Sequence, residues 1–567
     1  MSAQQPVLPP LDGSVSVLPG LIDFHAQRNP HFPWVVLASE DGARVLPITF
    51  LEFAEATHRI AHHFSPLDAS LGRRVVCLLL ACDSVLYVTL IAGLTRAGLI
   101  PFPISPRNSP EGIAHVLRKT DCHHIISNTS LPPVLAAAKA ELEASNYALH
   151  VFEPPTLDHV FPSIRAVNDP VKLPPYPSPT GFALDEIVIY LHSSGSTGLP
   201  KPVPLRHINV LSTCNSSLIL DARDRGVRWA SMTLPTFHAM GIYLQLYAPL
   251  ASGYPAGLYW PNAPLPPTVA TSANALSVCR ATGSNGMTAM PDLLEAWAKS
   301  EDDMKYLASL LTVGCGPILP STGDRLARAG VPLETWFGTT ECGPVTAIFD
   351  VGANSRNQKT SMDWQWMGFP DNVQCRWDPQ GDGTFELQVL TNEKHYPAVE
   401  NLMDVPGYAT SDLWVRHPTK LRLWRNLGRK EDVIVLSSGQ RIIPVSQERL
   451  IEAHELVSAA VMFGMGKPRC GILIEPSVAL NTTDIPAVTN YVSAIWPTIT
   501  AHQTGPAFGQ LSQEMIVVTD PARPLPRAPR GTVIRQRAWA LYSAEIERLY
   551  GADADNLHAG EQTEARL

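Results

Sequence analysis

The sequence predicts an α/β protein: a large N-terminal lobe of βαβ units around parallel sheets, followed by a smaller α+β lobe. Three observations predict it. Up to about residue 340, apolar strand-like segments alternate with helical patterns, as a parallel sheet with crossover helices requires. Over 370–426 the pattern changes to short alternating strands, such as "QCRWDPQGDGTFELQVL" and "LWVRHPTKLRLWR", separated by turn residues. From residue 428 a separate small α/β pattern begins.

The elements follow in order. "RVVCLLLAC" reads as a strand, "SVLYVTLIAGLTRAG" as a helix, "CHHIISN" as a strand and "LPPVLAAAKAELEAS" as a helix. Proline clusters such as "KLPPYPSPTG" and "WPNAPLPPT" mark long loops between units. The apolar run 75–104 is long enough for a membrane span, but it holds Asp83 in its middle and Arg96 near its end. Both charges are costly in lipid, so a buried strand followed by a packed helix is the expectation.

Composition narrows the function classes. Hydrophobic residues make up 45% and charged residues 17% of the chain, the balance of a globular protein. The net charge of -9, without a dense Lys/Arg block, argues against a nucleic-acid partner or an anionic membrane surface. Nine cysteines stand singly, without a CxxC pair, as free thiols in a reducing, cytoplasmic compartment would. No basic n-region with an apolar h-region opens the chain, so no signal peptide is expected. The polar tail 554–567 is expected to be disordered.

The stretch "YLHSSGSTGLPKPVPLRH" (190–207) concentrates glycine, hydroxyl side chains and a lysine directly after the apolar "IVIYL". Such a loop can turn backbone N–H groups and hydroxyls toward a phosphate chain, with Lys201 adding charge. Gly195, Gly198 and Lys201 are spaced G-x-x-G-x-x-K, which differs from the Walker pattern.

"HSSGSTGLPKP" resembles the phosphate-loop signature of adenylate-forming (AMP-binding) enzymes, which include acyl- and aryl-CoA ligases, luciferases and peptide-synthetase adenylation domains. Four further stretches resemble the same family in the same order: "GCGPIL" (314–319), "WFGTTECGP" (336–344), "YATSDLWVRHP" (408–418, with Ser411 in place of Gly) and "LGRKEDVIVLSSGQRIIP" (427–444). The resemblance implies a large lobe over 1–427, carrying the phosphate loop, acyl pocket and adenine turn plus a small distorted β-barrel. A mobile C-terminal lobe over 428–553 would follow.

The same resemblance implies the chemistry. A carboxylate attacks the α-phosphate of ATP, giving an acyl-adenylate and pyrophosphate, and a thiol then captures the acyl group. Ser193, Ser194, Gly195, Ser196, Thr197, Gly198 and Lys201 would grip the phosphates. Thr340 would stand near the α-phosphate, and Glu341 would hold Mg²⁺, a cation that favours oxygen ligands. Gly314 and Gly316 would lie in the adenine-side turn, Phe337 and Gly338 would also bind the cofactor, and Asp412 and Arg429 would hold the ribose. Glu431 falls at the hinge.

Phe237, His238, Gly241, Cys315 and Trp336, with Met240, would form the acyl pocket. Adenylation domains for α-amino acids usually carry Phe-Asp where this chain has Phe237-His238. Without that carboxylate a buried ammonium would lack a partner, so an acid without an α-amine is expected, an aryl acid first. The overall style is closest to fungal synthetase-like carboxylic acid reductases. Neither a dinucleotide GxGxxG nor a thioesterase GxSxG is found, so the chain is expected to be an adenylation module alone.

The family's C-terminal lysine is replaced by Arg530 in "RAPRGTVIR". Arginine keeps the charge but spreads it over a planar fork. The expectation is an active enzyme, its activity reduced, that passes the acyl group to the phosphopantetheine of a carrier domain. Free CoA is the alternative acceptor. A degenerate homologue that binds nucleotide or acyl ligand without turnover is the alternative of a different class.

Overall fold

The computed structural model describes residues 5–67, 74–128, 132–165, 173–177, 181–194, 199–349, 359–501, 509–528 and 531–551. The chain divides into two compact units. The larger comprises Met1–Asp378, Leu387–Thr410 and Arg416–Arg425; the smaller comprises Pro379–Glu386, Ser411–Val415 and Asn426–Leu567.

The larger unit is organised by two sheets. A seven-stranded sheet has the order Leu333–Thr335, Thr312–Cys315, Gly286–Ala289, Trp229–Ala230, Ala256–Tyr259, Pro33–Ala38, Val45–Thr49. All its pairs are parallel except the last. A four-stranded parallel sheet has the order Ile100–Pro103, Val75–Leu79, His124–Ser127, His150–Phe152. The βαβ alternation of the sequence is therefore realised as parallel sheets.

The helix Phe50–His63 starts at a capping box in which Thr49 and Glu52 satisfy each other's backbone donors. It packs on the helix Ser84–Arg96 so closely that a Cβ on Gly93 would lie 2.5 Å from Ile60. The two charges of the apolar run 75–104 are paired. Arg96, fully buried, donates to Asp23 at 2.6 Å and to the Thr57 hydroxyl at 2.8 Å. Asp83 accepts the backbone N–H groups of Asn262 and Ala263 at 2.9 and 3.0 Å. Among the described residues no helix is long and apolar enough to cross a membrane.

His25 shows how this core is wired. Its ring stacks on Phe50 with centroids 4.0 Å apart. Nε2 donates to the Leu250 carbonyl at 2.7 Å, and Nδ1 faces the Asn29 amide nitrogen at 2.8 Å. The Asn29 amide also donates to the Val7 carbonyl and accepts its N–H, so its NH2 points at Nδ1. A proton on Nδ1 would have no acceptor there.

In the smaller unit, Val457–Phe463 pairs antiparallel with Gly471–Pro476, which pairs parallel with Ile516–Val518. The helices Val445–Glu452 and Ile485–Ala501 contribute Ile451, Tyr491, Ile495 and Ile499 to its core. Ser411 has φ +59°, a left-handed conformation inside the strand Gly407–Arg416, and its N–H donates to Glu386 at 3.1 Å. That backbone is the one a glycine adopts without cost.

Two outcomes are expected. Burial, opposed in part by the Leu250 carbonyl, lowers the His25 pKa from 6.5 to about 4. The unfolded chain then binds the extra proton first, so stability falls as pH drops from 6.5 toward 4. The loss is about 2 kcal/mol at pH 5. Urea unfolding at pH 7 and pH 5 should show His25→Gln lacking that increment of pH dependence. Ser411→Gly should raise the stability of the smaller unit by about 1 kcal/mol, read as a higher urea midpoint.

Candidate functional site

Strand Ile187–Ser194 runs straight into an antiparallel partner, Pro200–Arg206, with Ser193 opposite Lys201 and Ser194 opposite Pro200. Gly195, Ser196, Thr197 and Gly198, with the Ser194 side chain, lie outside the described residues. Lys201 is exposed, and its ammonium has no ion-pair partner among the described residues.

A tight hairpin carries Thr340 and Glu341. Gly338 pairs with Pro344 and Thr339 with Gly343, leaving Thr340, Glu341 and Cys342 at the apex. Gly343 has φ +70°, and a Cβ on Gly338 would lie 2.6 Å from the Gly343 carbonyl oxygen, so both glycines are required by the turn. Thr339 Oγ1 accepts the Cys342 N–H at 3.2 Å, and Thr346 Oγ1 accepts the Phe337 N–H at 2.9 Å. Thr340 is buried, whereas Glu341 is partly exposed and its carboxylate has no ion-pair partner among the described residues.

The apex is held from behind. Ala398 donates its N–H to the Glu341 carbonyl at 2.6 Å. The segment leading to Ala398 is fastened to the helix His207–Cys214. Asn209 donates to the carbonyls of Tyr396 and Pro397 at 3.1 and 3.3 Å, and Ser212 Oγ accepts the Tyr396 N–H at 3.2 Å. His395, beside Ser212, is buried, and burial lowers its pKa to about 4, so it is neutral.

Gly314 and Trp336 are in intimate contact. A Cβ on Gly314 would lie 2.1 Å from the indole ring. The indole therefore covers the backbone of the strand Thr312–Cys315, edge-on to Trp229 at 5.3 Å. The Trp336 backbone N–H reaches the Cys315 carbonyl at 3.4 Å. Cys315 is buried next to the Thr335 hydroxyl, and burial pushes its thiol up to about 12, so it is no nucleophile. Open space surrounds the Cα of Gly316.

Phe237 packs at the edge of the main core together with Met240 and Trp336. His238 caps the short helix Ala239–Ile242, its Nδ1 accepting the Met240 N–H at 3.3 Å. One ring nitrogen is thus engaged locally. Gly241 is obligatory, since a Cβ there would lie 2.1 Å from the Pro235 carbonyl oxygen.

In the smaller unit Asp412 is buried, 3.8 Å from Arg429 and 3.4 Å from the Asn426 amide. The structure therefore brings the expected ribose pair together. Glu431 is exposed in the turn Lys430–Asp432, and its neighbour Asp432 makes the ion pair instead, 3.2 Å from Arg535. Arg530 lies outside the described residues. Sequence reasoning passed over Asn209, Ser212, Tyr243 and Gln245. Their only signal is a polar group within otherwise apolar helical stretches, "HINVLSTC" and "YLQLY".

Comparison with known proteins fits this arrangement. The family model for AMP-binding enzymes matches residues 23–369, and that for the AMP-binding enzyme C-terminal domain matches residues 431–554. The adenylate-forming reductase Nps11 of Serpula lacrymans var. lacrymans is 38% identical over 558 residues, covering 96% of this chain and 50% of that protein. The carboxylic acid reductase of Neurospora crassa is 26% identical over 556 residues, covering 94% and 50%. The chain thus spans about half the length of the curated relatives it matches. Among solved structures, the O-succinylbenzoate CoA synthetase of Bacillus subtilis in complex with AMP shares the fold with a TM-score of 0.64 at 15% identity, over 91% of this chain and 97% of that one. The anthranilate CoA ligase AuaEII in complex with anthranoyl-AMP does so with a TM-score of 0.64 at 16% identity, over 94% and 98%. By its match to both family models and its identity to the Serpula protein, the chain belongs to the AMP-binding, adenylate-forming enzymes that activate carboxylic acids.

Proposed function

We propose that the protein activates an aryl carboxylic acid with ATP and Mg²⁺ and passes the acyl group to a phosphopantetheine thiol of a carrier domain. The observation that carries the aryl reading is the Trp336 indole lying on Gly314, which gives the acyl side a flat aromatic wall. A planar acid stacks on such a wall with offset geometry, whereas a flexible chain gains less from it. The residue after Phe237 is a histidine whose Nδ1 already accepts the Met240 N–H, so no carboxylate stands there to receive an α-ammonium. The anthranilate CoA ligase and a benzoate CoA ligase of Burkholderia xenovorans are fold neighbours whose substrates are aryl acids by name.

The larger unit's uncompensated charges fit the nucleotide. Lys201, exposed and without an ion-pair partner among the described residues, would meet phosphate oxygens. Glu341 supplies a carboxylate at the apex of a rigid hairpin. No group of three or more metal-ligating side chains occurs among the described residues, and Mg²⁺ asks for none. It is held by one or two carboxylates with substrate phosphates and water. Bound there, Mg²⁺ would neutralise charge on the phosphates. Thr340 would donate toward the α-phosphate, and Asp412 would accept from the ribose hydroxyls with Arg429 beside it. The nine free cysteines agree with a cytoplasmic setting. The boundary between lobes is placed at 427/428, the hinge at Glu431.

The carrier thiol is preferred over free CoA because the relatives that cover nearly all of this chain, at about twice its length, are adenylate-forming reductases. One observation favours a second reading, nucleotide binding without turnover: Arg530 stands where the family carries lysine.

Pyrophosphate release with ATP and Mg²⁺, hydroxylamine as trap, should be stimulated by benzoic or cinnamic acid and not by α-amino acids. Silence across aryl and aliphatic acids, with ATP still bound, would establish the degenerate reading instead. Arg530→Lys should raise the adenylation rate about tenfold, since a point charge aimed at developing charge is commonly worth 10²–10³-fold and the guanidinium retains part of it. An unchanged rate in the same assay would remove residue 530 from that role.

A further inference from the structure

The helix that follows His238 contains a π-helical turn, Tyr243–Tyr247, between the α-helical segments Ala239–Ile242 and Ala248–Ser252. Turns of this kind are rare and often mark functional positions. Every residue of the turn is buried. Two of its side chains are polar groups with specific partners, and residues two apart on a helix point to nearly opposite sides.

Gln245, fully buried, reaches the loop that carries Phe237 and His238. Its amide nitrogen donates to the carbonyls of Ser231 and Leu234 at 2.9 and 3.0 Å, and its oxygen accepts from the Thr236 hydroxyl at 3.0 Å. Thr236 Oγ1 also lies 2.9 Å from Ser84 Oγ, at the start of the helix Ser84–Arg96. Three points of the eight-residue loop 231–238 are therefore fixed by one amide.

Tyr243 lies toward the other part of the site. Its hydroxyl lies near that of Thr213, on the side of Cys342 and Glu341, while Thr213 Oγ1 itself donates to the Asn209 carbonyl at 3.2 Å. Thr213 Oγ1 would be 3.4 Å from a Cβ on Gly343, the residue that closes the Thr340–Glu341 hairpin. The same helix, through Asn209 and Ser212, fastens the segment that ends in the Ala398–Glu341 bond.

We propose that Gln245 and Tyr243 are positioning residues, and that the π-turn sets the acyl-pocket loop 231–238 and the Thr340–Glu341 hairpin in one mutual register. The proposal rests on the adenylation reading for its kinetic consequence only. A carboxylate must meet the α-phosphate in line, and both sides of that encounter are carried by elements that this turn touches. Misplacement by about 1 Å can cost about a hundredfold. No other described side chain bonds to three backbone or hydroxyl groups of the loop.

The test uses the full chain with Gln245→Met, which keeps length but removes the polar contacts, and Tyr243→Phe, which removes only the hydroxyl. Backbone hydrogen exchange read by mass spectrometry should accelerate in both 231–238 and 337–346 for each variant. In pyrophosphate exchange, Gln245→Met should raise the KM for the acid about tenfold, the scale of a buried hydrogen bond left unmade, with kcat falling less than the KM rises. Tyr243→Phe should lower kcat more than it moves that KM. Acceleration confined to the segment next to the changed residue, in either variant, would overturn the coupling. Should a variant unfold, Gln245→Glu, isosteric but unable to donate, gives the same reading with less disturbance of packing. If the wild type adenylates no acid, the adenylation reading fails while the exchange pattern still decides the proposal.

Discussion

A polar group that leaves water must find a partner in the protein, and this requirement organises the larger unit around its candidate site. Asn209, Ser212 and Gln245 are buried in elements that otherwise serve the core, and each spends its hydrogen bonds on backbone of a distant segment. A carbonyl bound in this way cannot drift without leaving two groups unsatisfied at once. The hairpin apex at Glu341 inherits its position from Ala398, Ala398 from Pro397 and Tyr396, and those from one helix. The Glu341 carboxylate is partly exposed and makes no ion pair among the described residues, so its own side chain does not anchor it. The anchoring falls to its backbone.

Aromatic packing sets a second constraint of the same kind. The Trp336 ring occupies the space in which any side chain at 314 would project, so the strand end and the indole form one surface. Cys315 and Trp229 complete it, and burial keeps the Cys315 thiol protonated and inert. The glycine here serves close approach rather than an unusual backbone angle, unlike Gly343, where the turn itself demands φ +70°. In the smaller unit the same demand for a left-handed residue is met by Ser411, which bears the strain and has the Glu386 bond in return.

Much of this was legible in the sequence, and the reason is locality. Alternating strand and helix patterns depend on neighbours within a few residues, and the parallel sheets followed from them. The charges Asp83 and Arg96 excluded a membrane span by an energy argument that needed no coordinates, and both proved to be paired. The Thr340–Glu341 motif is contiguous and was visible as such. What sequence could not reveal is the support behind it. Asn209 and Tyr396 are 187 residues apart, and nothing in either neighbourhood marks the pair. Gln245 reads as one polar residue in "YLQLY", where a solvent-facing position is the ordinary expectation. The antiparallel pairing of Ile187–Ser194 with Pro200–Arg206 was equally hidden, because "PKPVPLR" is rich in proline and weak as a strand by composition.

The smaller unit carries its own fixed point. Arg535 is partly buried, holds Glu448 through its two terminal guanidinium nitrogens, lies 3.2 Å from Asp432 through Nε and donates to the Met462 carbonyl. The opposed carboxylates outweigh burial and keep it charged. Such a pair contributes less to stability than its geometry implies, since desolvation offsets much of the attraction. Its effect is specification: the turn Lys430–Asp432 and the start of the helix Arg535–Leu541 are held at one distance. Both ends of that tether belong to the same unit as Asp412 and Arg429.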